Sequence, residues 1–584
     1  MLRKLLVCVV SVLMLVAVLA GMAGVGAAFA RGRTQSVTSA PASLSTGAMP
    51  ATAPMVAMHT VDMRAVPVET AKVLSQRPVL MPRLTGTTPA VYAQRKAAAA
   101  RSASAPVGSH AYQLPARKSG SNTPAAQTRF QGMANSAATC PYFGGCQPPD
   151  QALATSPTWV LQGVNTSFAV YNTRGTLQSG WPKNARRFFG VPNPGTCDAN
   201  GPFLSDPRAF YDPNDQRFWV ADLQIEGAFG LNSCPFKTIY WVAVSRTSNP
   251  NGAWNIYAFD MSLGRTNAAD YTQFGFDGQA VYFTGNMFNQ DGSAYMYAEI
   301  FGAKKSTMEA GRGVTAYGFY NLTVGGVPVD TVQPMETEAH SYSGPVAGLF
   351  SNSFNMNFGG GSCSSGCSGV TVWAMGNPGT SSTFLTGVVI GTNGYSLPPN
   401  ADEPGCGGCI ETLDTRISGT PVYHDGLISF ALETAVNNGS QIVPGIYWGQ
   451  VAPVLDGTGH LTGGSVYQSG YYYYGSDNAA SFGALMPDGD GNLFMIFEFM
   501  GGSFNPGVAY TARRVTFTPG LFHDGGIYLR AGDAPTFNSR WGDYEATSYD
   551  NPYNDDVWFS GQYSTSRGDW STYIGKDKFT LSTP

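Results

Sequence analysis

The sequence predicts an all-β protein whose strands form a single β-propeller, and three observations support this. From Cys140 to the C-terminus, aromatic and β-branched runs alternate with turns rich in Gly, Asn, Asp and Pro. Helical patterning is nearly absent over the same residues. A strand–turn–strand pattern near the start, at 205–224, occurs again at the end, at 539–576. Such recurrence across a long chain is typical of radial or linear repetition.

The two end units match in their turns and in their strands. The turn YDPND at 211–215 corresponds to YDNPYND at 549–555, and FWV at 218–220 corresponds to VWF at 557–559. Similar strand pairs elsewhere give seven units of roughly 50 to 60 residues, the size of a four-stranded blade with long loops. Six or eight blades also fit, because a Gly-rich loop blurs the fourth unit. The alternative architecture is two β-sandwich domains.

Three regions divide the chain. Residues 1–30 are predicted to be a signal peptide, with Arg3 and Lys4 before an apolar run and Ala28-Phe29-Ala30 as the cleavage site. The alternative is an uncleaved membrane anchor, because the apolar run approaches spanning length. Residues 31–135 are rich in Ala, Ser, Thr and Pro and predict a disordered linker, propeptide or stalk. Residues 136–584 form the predicted propeller domain.

Eight cysteines follow the predicted signal peptide. An even number in an exported protein favours disulfides over free thiols. Their spacing suggests four sequence-local pairs: Cys140–Cys146, Cys197–Cys234, Cys363–Cys367 and Cys406–Cys409. The alternative is a zinc site with four thiolate ligands: Cys363, Cys367, Cys406 and Cys409.

Charge limits the classes of partner. Charged residues make up only 12% of the chain and the net charge is −4, so surface polarity must come mainly from neutral side chains. Without a basic stripe, nucleic acid is not an expected partner. We expect a secreted or cell-surface monomer whose partner is an extracellular glycan or protein, with no membrane contact beyond an uncleaved anchor.

Several segments carry a resemblance to a known group. These are 148–175, 205–220, 242–260, 270–288, 481–497 and 539–563. They resemble uncharacterised secreted bacterial β-propeller proteins, distantly similar to the sialidase-like propellers that carry Asp-box hairpins. Segments 245–254 and 564–570 are similar to that box (Ser-x-Asp-x-Gly-x-x-Trp), but Thr247 and Ser566 stand where the aspartate would be. The resemblance covers nearly all of the chain after Cys140 and implies architecture more than activity.

The resemblance also implies a candidate catalytic set. Arg208, Arg416 and Arg540 each enter a strand in a different unit, so a propeller could bring them together to bind a carboxylate. Sialidase chemistry further requires a Tyr nucleophile with a neighbouring Glu and an Asp general acid. Residues of these types are Tyr544, Glu545, Asp206 and Asp543, although adjacent strand residues point to opposite faces. The alternative is that each arginine pairs with its nearby aspartate: Asp206, Asp414 or Asp543.

One acidic turn is a candidate metal site. Asp488, Asp490 and Asn492 alternate in a Pro-Asp-Gly-Asp-Gly-Asn turn, a spacing that can ligate calcium. An ordinary hairpin turn explains the same residues, and calcium is the one cofactor that the sequence suggests.

Two functions therefore compete. The first is a non-catalytic extracellular module that binds glycan or protein, and the second is a sialidase-type glycoside hydrolase acting on an acidic sugar. The sequence favours the module because it contains no recognisable acid/base pair.

Overall fold

A computed structural model describes the following residues: 47–68, 79–80, 88–101, 111–116, 123–140, 146–192, 202–225, 238–290, 292–337, 347–354, 366–522, 524–536, 540–551 and 556–579. The predicted signal peptide lies outside them. The chain divides into two compact units, 1–38 and 39–584, and all the described residues belong to the second. Among the described residues, no helix is both long and apolar enough to cross a membrane.

Among its described residues, the N-terminal part of the second unit has the helix α1 (Pro89–Ala99) and five short strands. The strands are β1 (Met49–Ala53), β2 (Met55–Asp62), β3 (Val79–Leu80), β4 (Thr128–Ala134) and β5 (Cys146–Gln147).

The next elements are strands and two short helices. In chain order they are β6 (Ala152–Thr155), β7 (Trp159–Val164), β8 (Ser167–Asn172), β9 (Lys183–Asn184), α2 (Ala185–Phe189), β10 (Phe203–Asp212), β11 (Arg217–Ile225), β12 (Ile239–Ser245), β13 (Ala253–Asp260), β14 (Asn267–Phe276), β15 (Ala280–Asn289), β16 (Tyr295–Lys304), α3 (Lys305–Glu309), β17 (Ala316–Tyr320), β18 (Thr323–Val324) and β19 (Val327–Pro328).

The remaining described elements are all strands. They are β20 (Gln333–Pro334), β21 (Glu336–Thr337), β22 (Ala347–Ser353), β23 (Val370–Gly376), β24 (Phe384–Ile390), β25 (Ala401–Glu403), β26 (Cys406–Ile410), β27 (Val422–His424), β28 (Leu427–Asn437), β29 (Ile442–Leu455), β30 (Leu461–Tyr472), β31 (Ala479–Pro487), β32 (Leu493–Gly501), β33 (Phe504–Arg513), β34 (Ile527–Arg530), β35 (Ala546–Tyr549), β36 (Val557–Ser564) and β37 (Trp570–Asp577).

Most strands pair with their sequence neighbours in antiparallel sheets, which we number I to VII. Sheet I is β6–β9, sheet II is β10–β13 with β2, sheet III is β14–β17 with β1, sheet IV is β20 with β22–β24, sheet V is β27–β30, sheet VI is β31–β34, and sheet VII is β35–β37 with β4. Strand β21 pairs in parallel with β14 and β27 and so joins sheets III and V at their inner edges.

The sheets form a closed ring. Inner strand β6 contacts β10, β10 contacts β14, and β14 contacts β20. Sheet IV contacts sheet V, β27 contacts β31, and β31 contacts β35, which returns to β6. Apolar clusters fill the gaps between neighbouring sheets, and the fully buried Trp219 and Trp373 belong to two of them. The predicted all-β propeller architecture is therefore confirmed.

The ring closes differently from the prediction. The sequence predicts that the last strand completes a blade with the N-terminal hairpin at 158–175, but the strands of that hairpin, β7 and β8, lie in sheet I. The last strand, β37, instead pairs with β4, with Lys576 opposite Thr128. The ring is thus closed by a strand from the N-terminal side, as predicted, but that strand is β4 and not part of the hairpin.

The prediction of disorder is wrong for parts of 31–135. Strands β2 and β1 form the outer edges of sheets II and III, and β4 forms the outer edge of sheet VII. An outer strand needs only backbone pairing on one side, so a sequence with few large apolar residues can supply it. The segment is therefore partly a component of the propeller and not only a linker.

The described cysteines are in disulfides. Cys406 and Cys409 are joined to each other, as predicted, and Cys140 and Cys367 are also disulfide-bonded. The side chains of the other predicted partners lie outside the described part of the chain. The zinc alternative is wrong, because three of its four cysteines are already in disulfides.

Candidate functional site

The inner strands share a strained backbone feature where they begin. In three of them the pairing register shifts, between Ser205 and Arg208, between Asp270 and Gln273, and between Ser481 and Ala484. Six non-glycine residues with positive φ lie in or before inner strands. Asp206, Tyr271 and Phe482 lie within β10, β14 and β31, Asp150 and Thr331 shortly precede β6 and β20, and Leu413 lies in the loop before β27. Such residues are uncommon, and their clustering at one mouth of the central channel marks a candidate site.

Side chains from the preceding sheet hold these strained residues. The Asp206 N–H donates to Asn165 Oδ1 at 2.9 Å, and the Tyr271 N–H donates to Asp206 Oδ2 at 3.0 Å. The Thr331 N–H likewise donates to an amide oxygen from the sheet before it, at 2.7 Å. The Phe482 N–H donates to Glu433 Oε1 at 2.5 Å. These bonds satisfy buried N–H groups and fix each sheet to the next one.

Tyr271 lies at the centre of the predicted arginine set. The Arg416 guanidinium carbon is 4.4 Å from the centre of the Tyr271 ring, and that of Arg208 is 5.7 Å from it. Arg208 also lies 3.4 Å from the ring centre of Tyr544, whose ring is edge-on to Tyr271. The Tyr271 hydroxyl donates to the backbone oxygen of Asp543 at 3.3 Å. The structure therefore brings together residues that the sequence identified separately.

Two of the three arginines pair with their own neighbouring aspartates. Arg416 binds Asp414 through two parallel hydrogen bonds of 2.8 Å, from Nε and Nη2. Arg540 donates from Nη2 to Asp543 Oδ2 at 2.8 Å. All four side chains are buried, so these pairs brace the inner-strand entries and are not open clamps for a ligand.

Arg208 differs from the other two arginines. Its Nε and Nη2 are buried and have no hydrogen-bond partner among the described residues. The side chain lines a cavity of about 20 Å³ in the channel, enough for one water molecule. Polar side chains share the lining, including Gln151, Glu336 and Glu545. Arg208 therefore has two donors left for a ligand or water.

Burial raises the pKa of the acids around this site. The pKa of Asp206 is raised to about 7 by burial and by the charges of Asp270 and Asp543, against the opposing effect of Arg208 and Arg540. Burial, with the charges of Asp543 and Asp206, also raises the pKa of Asp150 well above its usual value. An aspartic acid that keeps its proton near neutral pH has the protonation state that a general acid needs.

Tyr544 is not arranged as a nucleophile. Its hydroxyl donates to the backbone oxygen of Pro207 at 3.2 Å, and the side chain is buried. Burial raises the pKa of Tyr544 well above its ordinary value. The neighbouring Glu545 accepts instead from Gln151 Nε2 at 2.7 Å. The two side chains have separate partners, in line with the expectation that adjacent strand residues point apart.

The candidate calcium turn forms a hairpin between β31 and β32. Asp488 Oδ1 accepts from the backbone N–H groups of Asp490 and Asn492, at 3.1 and 2.8 Å. Asp488 Oδ2 accepts from the Asn492 side chain at 2.8 Å. Because the turn itself uses these oxygens, the geometry favours the hairpin alternative.

A second acidic group lies at the turn between β10 and β11. Carboxylate oxygens of Asp212, Asp215 and Glu309 lie within 4.8 Å of one another. The Lys305 ammonium binds Asp215 at 2.9 Å and also binds Asp212. The lysine therefore already supplies the positive charge that a metal ion would bring.

Sequence reasoning missed Asp150, Tyr271 and the capping residues Asn165, Asn286 and Glu433. A signal for the strained positions exists in the similar tetrapeptides Asp270-Tyr271-Thr272-Gln273 and Asp330-Thr331-Val332-Gln333. Each places a polar residue before the strained residue and a glutamine two residues after it. Neither tetrapeptide contains a glycine or asparagine that would indicate a positive φ at Tyr271 or Thr331.

Comparisons with known proteins find distant structural likeness alone. No protein-family model and no curated protein sequence matches the chain. The chain is distantly similar to an α-L-arabinanase from Penicillium chrysogenum, with 8% identity over 78% of this chain and 99% of that one and a TM-score of 0.36. It is also similar to the endosialidase of phage phi92, with 8% identity over 74% and 67% of the chains and a TM-score of 0.30.

A third similar structure is the Trypanosoma rangeli sialidase, at 9% identity over 73% of this chain and 57% of that one, with a TM-score of 0.31.

Proposed function

We propose that this protein is a secreted, non-catalytic β-propeller that binds a glycan or a protein at the mouth of its channel. One observation carries the proposal: the groups that hydrolysis would need are engaged within the protein. Arg416 and Arg540 are paired with aspartates, and the Tyr544 hydroxyl is bonded to a backbone oxygen. A site without a free nucleophile can still bind a ligand through its loops.

A sialidase-type glycoside hydrolase is the second candidate. Two observations favour it: Asp206 has a pKa raised to about 7, and Arg208 has unpartnered nitrogens among the described residues. Together they offer a proton donor next to a cation that could bind the carboxylate of an acidic sugar. This function would require Tyr544 to leave its bond to Pro207.

A glycan array, run beside a panel of chromogenic glycosides, separates the two functions. We would compare the wild type with Arg208→Gln and with Arg567→Gln, which changes an exposed arginine in the turn between β36 and β37. Binding without turnover, weakened by Arg208→Gln alone, supports the module. Turnover that Arg208→Gln abolishes and Arg567→Gln preserves would instead establish the hydrolase.

The proposal also covers the number of blades and the location of the protein. We propose seven blades, one for each of sheets I to VII, because each sheet has at least four strands and lies between two neighbours in the ring. We also propose that residues 1–30 direct secretion and are then removed, which places the binding module outside the cell.

A further inference from the structure

Helix α1 docks on the ring through a charged group and not through an apolar face. Of its described side chains, Lys96 and Ala99 alone are buried, while Val91 is 40% exposed. Tyr92, half-buried, adds one hydrogen bond from its hydroxyl to the backbone oxygen of Leu413, at 3.3 Å. Helices with so few buried apolar contacts open easily in native proteins.

The Lys96 ammonium enters a pocket in the loop between β26 and β27. Its Nζ donates to the Leu413 backbone oxygen at 2.6 Å and to Thr412 Oγ1 at 3.1 Å. The lysine is only 4% exposed, although lysines are rarely this buried without a specific partner. Nearby Glu433 is a buried acid, and the charge of Lys96 lowers its pKa against the larger raising effect of burial.

Contacts within the ring hold this pocket in shape, independently of the helix. The Thr412 hydroxyl donates to the Pro399 backbone oxygen at 2.6 Å, which leaves its lone pairs free to accept from an ammonium. Leu413 has a φ of 55°, a strained conformation of the kind found at ligand sites. Glu433 is fixed by its bond to the Phe482 N–H, and its Oε2 has no partner among the described residues.

The pocket lies directly beside the candidate site. Thr412 and Leu413 precede Asp414, whose carboxylate binds Arg416 against the ring of Tyr271. Strand β3 pairs with β5, three residues before Asp150, and α1 binds Leu413 through Lys96.

We propose that Thr412 and Leu413 form a receptor site for a primary alkylammonium group, and that Lys96 is its displaceable internal occupant. An ammonium has three donors, and the Leu413 backbone oxygen and the Thr412 hydroxyl accept two of them. An external ligand with the same group, such as a free alkylamine or an amino sugar, would bind after α1 moves away. This inference goes beyond the proposed function and does not depend on it.

The first test is chemical rescue in the full-length chain. Lys96→Ala should lower the melting temperature, and n-butylammonium chloride should restore it in a concentration-dependent way. Butan-1-ol controls for the apolar stem and sodium chloride for ionic strength, and neither should restore it. Lys304→Ala, at an exposed lysine, should not respond to the amine. Glucosamine in place of butylammonium distinguishes an amino-sugar site from a simple alkylamine site.

Two outcomes with the single variants would overturn the receptor site. One is an equal response of Lys96→Ala to butan-1-ol, and the other is an equal response of Lys304→Ala to the amine. Thr412→Val in the Lys96→Ala background should abolish the rescue, because it removes one of the oxygens that accept from the ammonium. If rescue persists unchanged, the ammonium binds elsewhere and the assignment is wrong.

A second measurement tests whether Lys96 can be displaced. Hydrogen exchange of the α1 amides in the wild type should accelerate at the amine concentration that rescues Lys96→Ala. The amides of β36, in sheet VII, should not change. If exchange in α1 is unaffected by the amine, Lys96 is a permanent structural group and the proposal fails.

Discussion

At the residue scale, the arginines of the candidate site have different roles. Arg416 lies in a bidentate pair with Asp414, and both side chains are buried. Arg208, stacked on Tyr544, has two nitrogens without a hydrogen-bond partner among the described residues. Such an unpaired buried group is costly, so its presence beside a polar cavity indicates a role in binding water or a ligand.

The buried pair gives a prediction for stability. Arg416→Ala leaves the buried Asp414 without its counter-charge, and we expect it to cost roughly 3–5 kcal/mol of unfolding free energy in urea. The matched control is Arg530→Ala, which breaks the half-exposed pair with Asp533 and should cost at most about 1 kcal/mol. Similar losses for both variants would contradict the assignment of Arg416 to a structural pair.

At the element scale, the outer strands from the N-terminal segment explain why the fold was predictable in part. Strands β6 to β37 follow the alternation of apolar runs and turns, so sequence reasoning located each unit. Strands β1 and β2 were missed, because edge strands with exposed residues such as Val56 and Met58 give no buried alternation. Helix α1 was missed because it docks through Lys96 and lacks a continuous apolar face.

Like the fold, the candidate site could be predicted from the sequence only in part. Arg208, Arg416 and Arg540 were found because strand entries in a propeller meet at one mouth. Tyr271 was missed, because a tyrosine with a φ of 53° at a β-bulge cannot be recognised from a single sequence. The capping carboxyl of Glu433 lies on a second strand and acts on the next sheet, a relation that spacing within one unit does not reveal.

The role of β4 gives a prediction for truncated chains. A chain that begins at residue 136 lacks β4 and exposes the edge of β37 to solvent. A chain that begins at residue 111 keeps β4 but lacks β1, β2 and α1. We expect the shorter chain to melt at least about 5 °C below the longer one, or to aggregate, because an open strand edge templates association. Equal melting and solubility would show that β4 does not contribute to closure of the ring.

At the scale of the whole molecule, the interior of the protein contains acids that burial keeps protonated. Burial raises the pKa of Glu336 and of Glu498 to about 8, and that of Asp577 to about 7. Burial likewise raises the pKa of Glu545 well above its usual value, with a further contribution from the charge of Glu498. A ring with few surface charges therefore contains a set of neutral carboxyl groups in its interior.

This interior predicts that stability falls as the pH rises. A carboxyl group whose pKa is higher in the folded than in the unfolded state binds more protons when folded, so its unfolding free energy decreases with pH. For Asp206 and Glu336 the contribution is complete below the unfolded pKa, near 4, and is lost between there and folded values of about 7 and 8. We expect a higher melting temperature at pH 5 than at pH 8.

Glu336 allows the sharpest test, because burial is the single cause of its raised pKa. Each such group contributes a slope of about 1.4 kcal/mol per pH unit within its window, so Glu336→Gln should flatten the decline of stability between pH 5 and 8 by about that slope. Asp425→Asn, at a side chain that is 71% exposed, is the matched control and should leave the slope as in the wild type. Urea unfolding at half-unit pH intervals measures the slope for all three proteins. Two results would contradict this prediction: a wild-type stability that rises from pH 5 to pH 8, or an unchanged slope in Glu336→Gln. Either would mean that these buried carboxyl groups are ionised in the folded protein. Arg208 would then have a charged partner across the cavity.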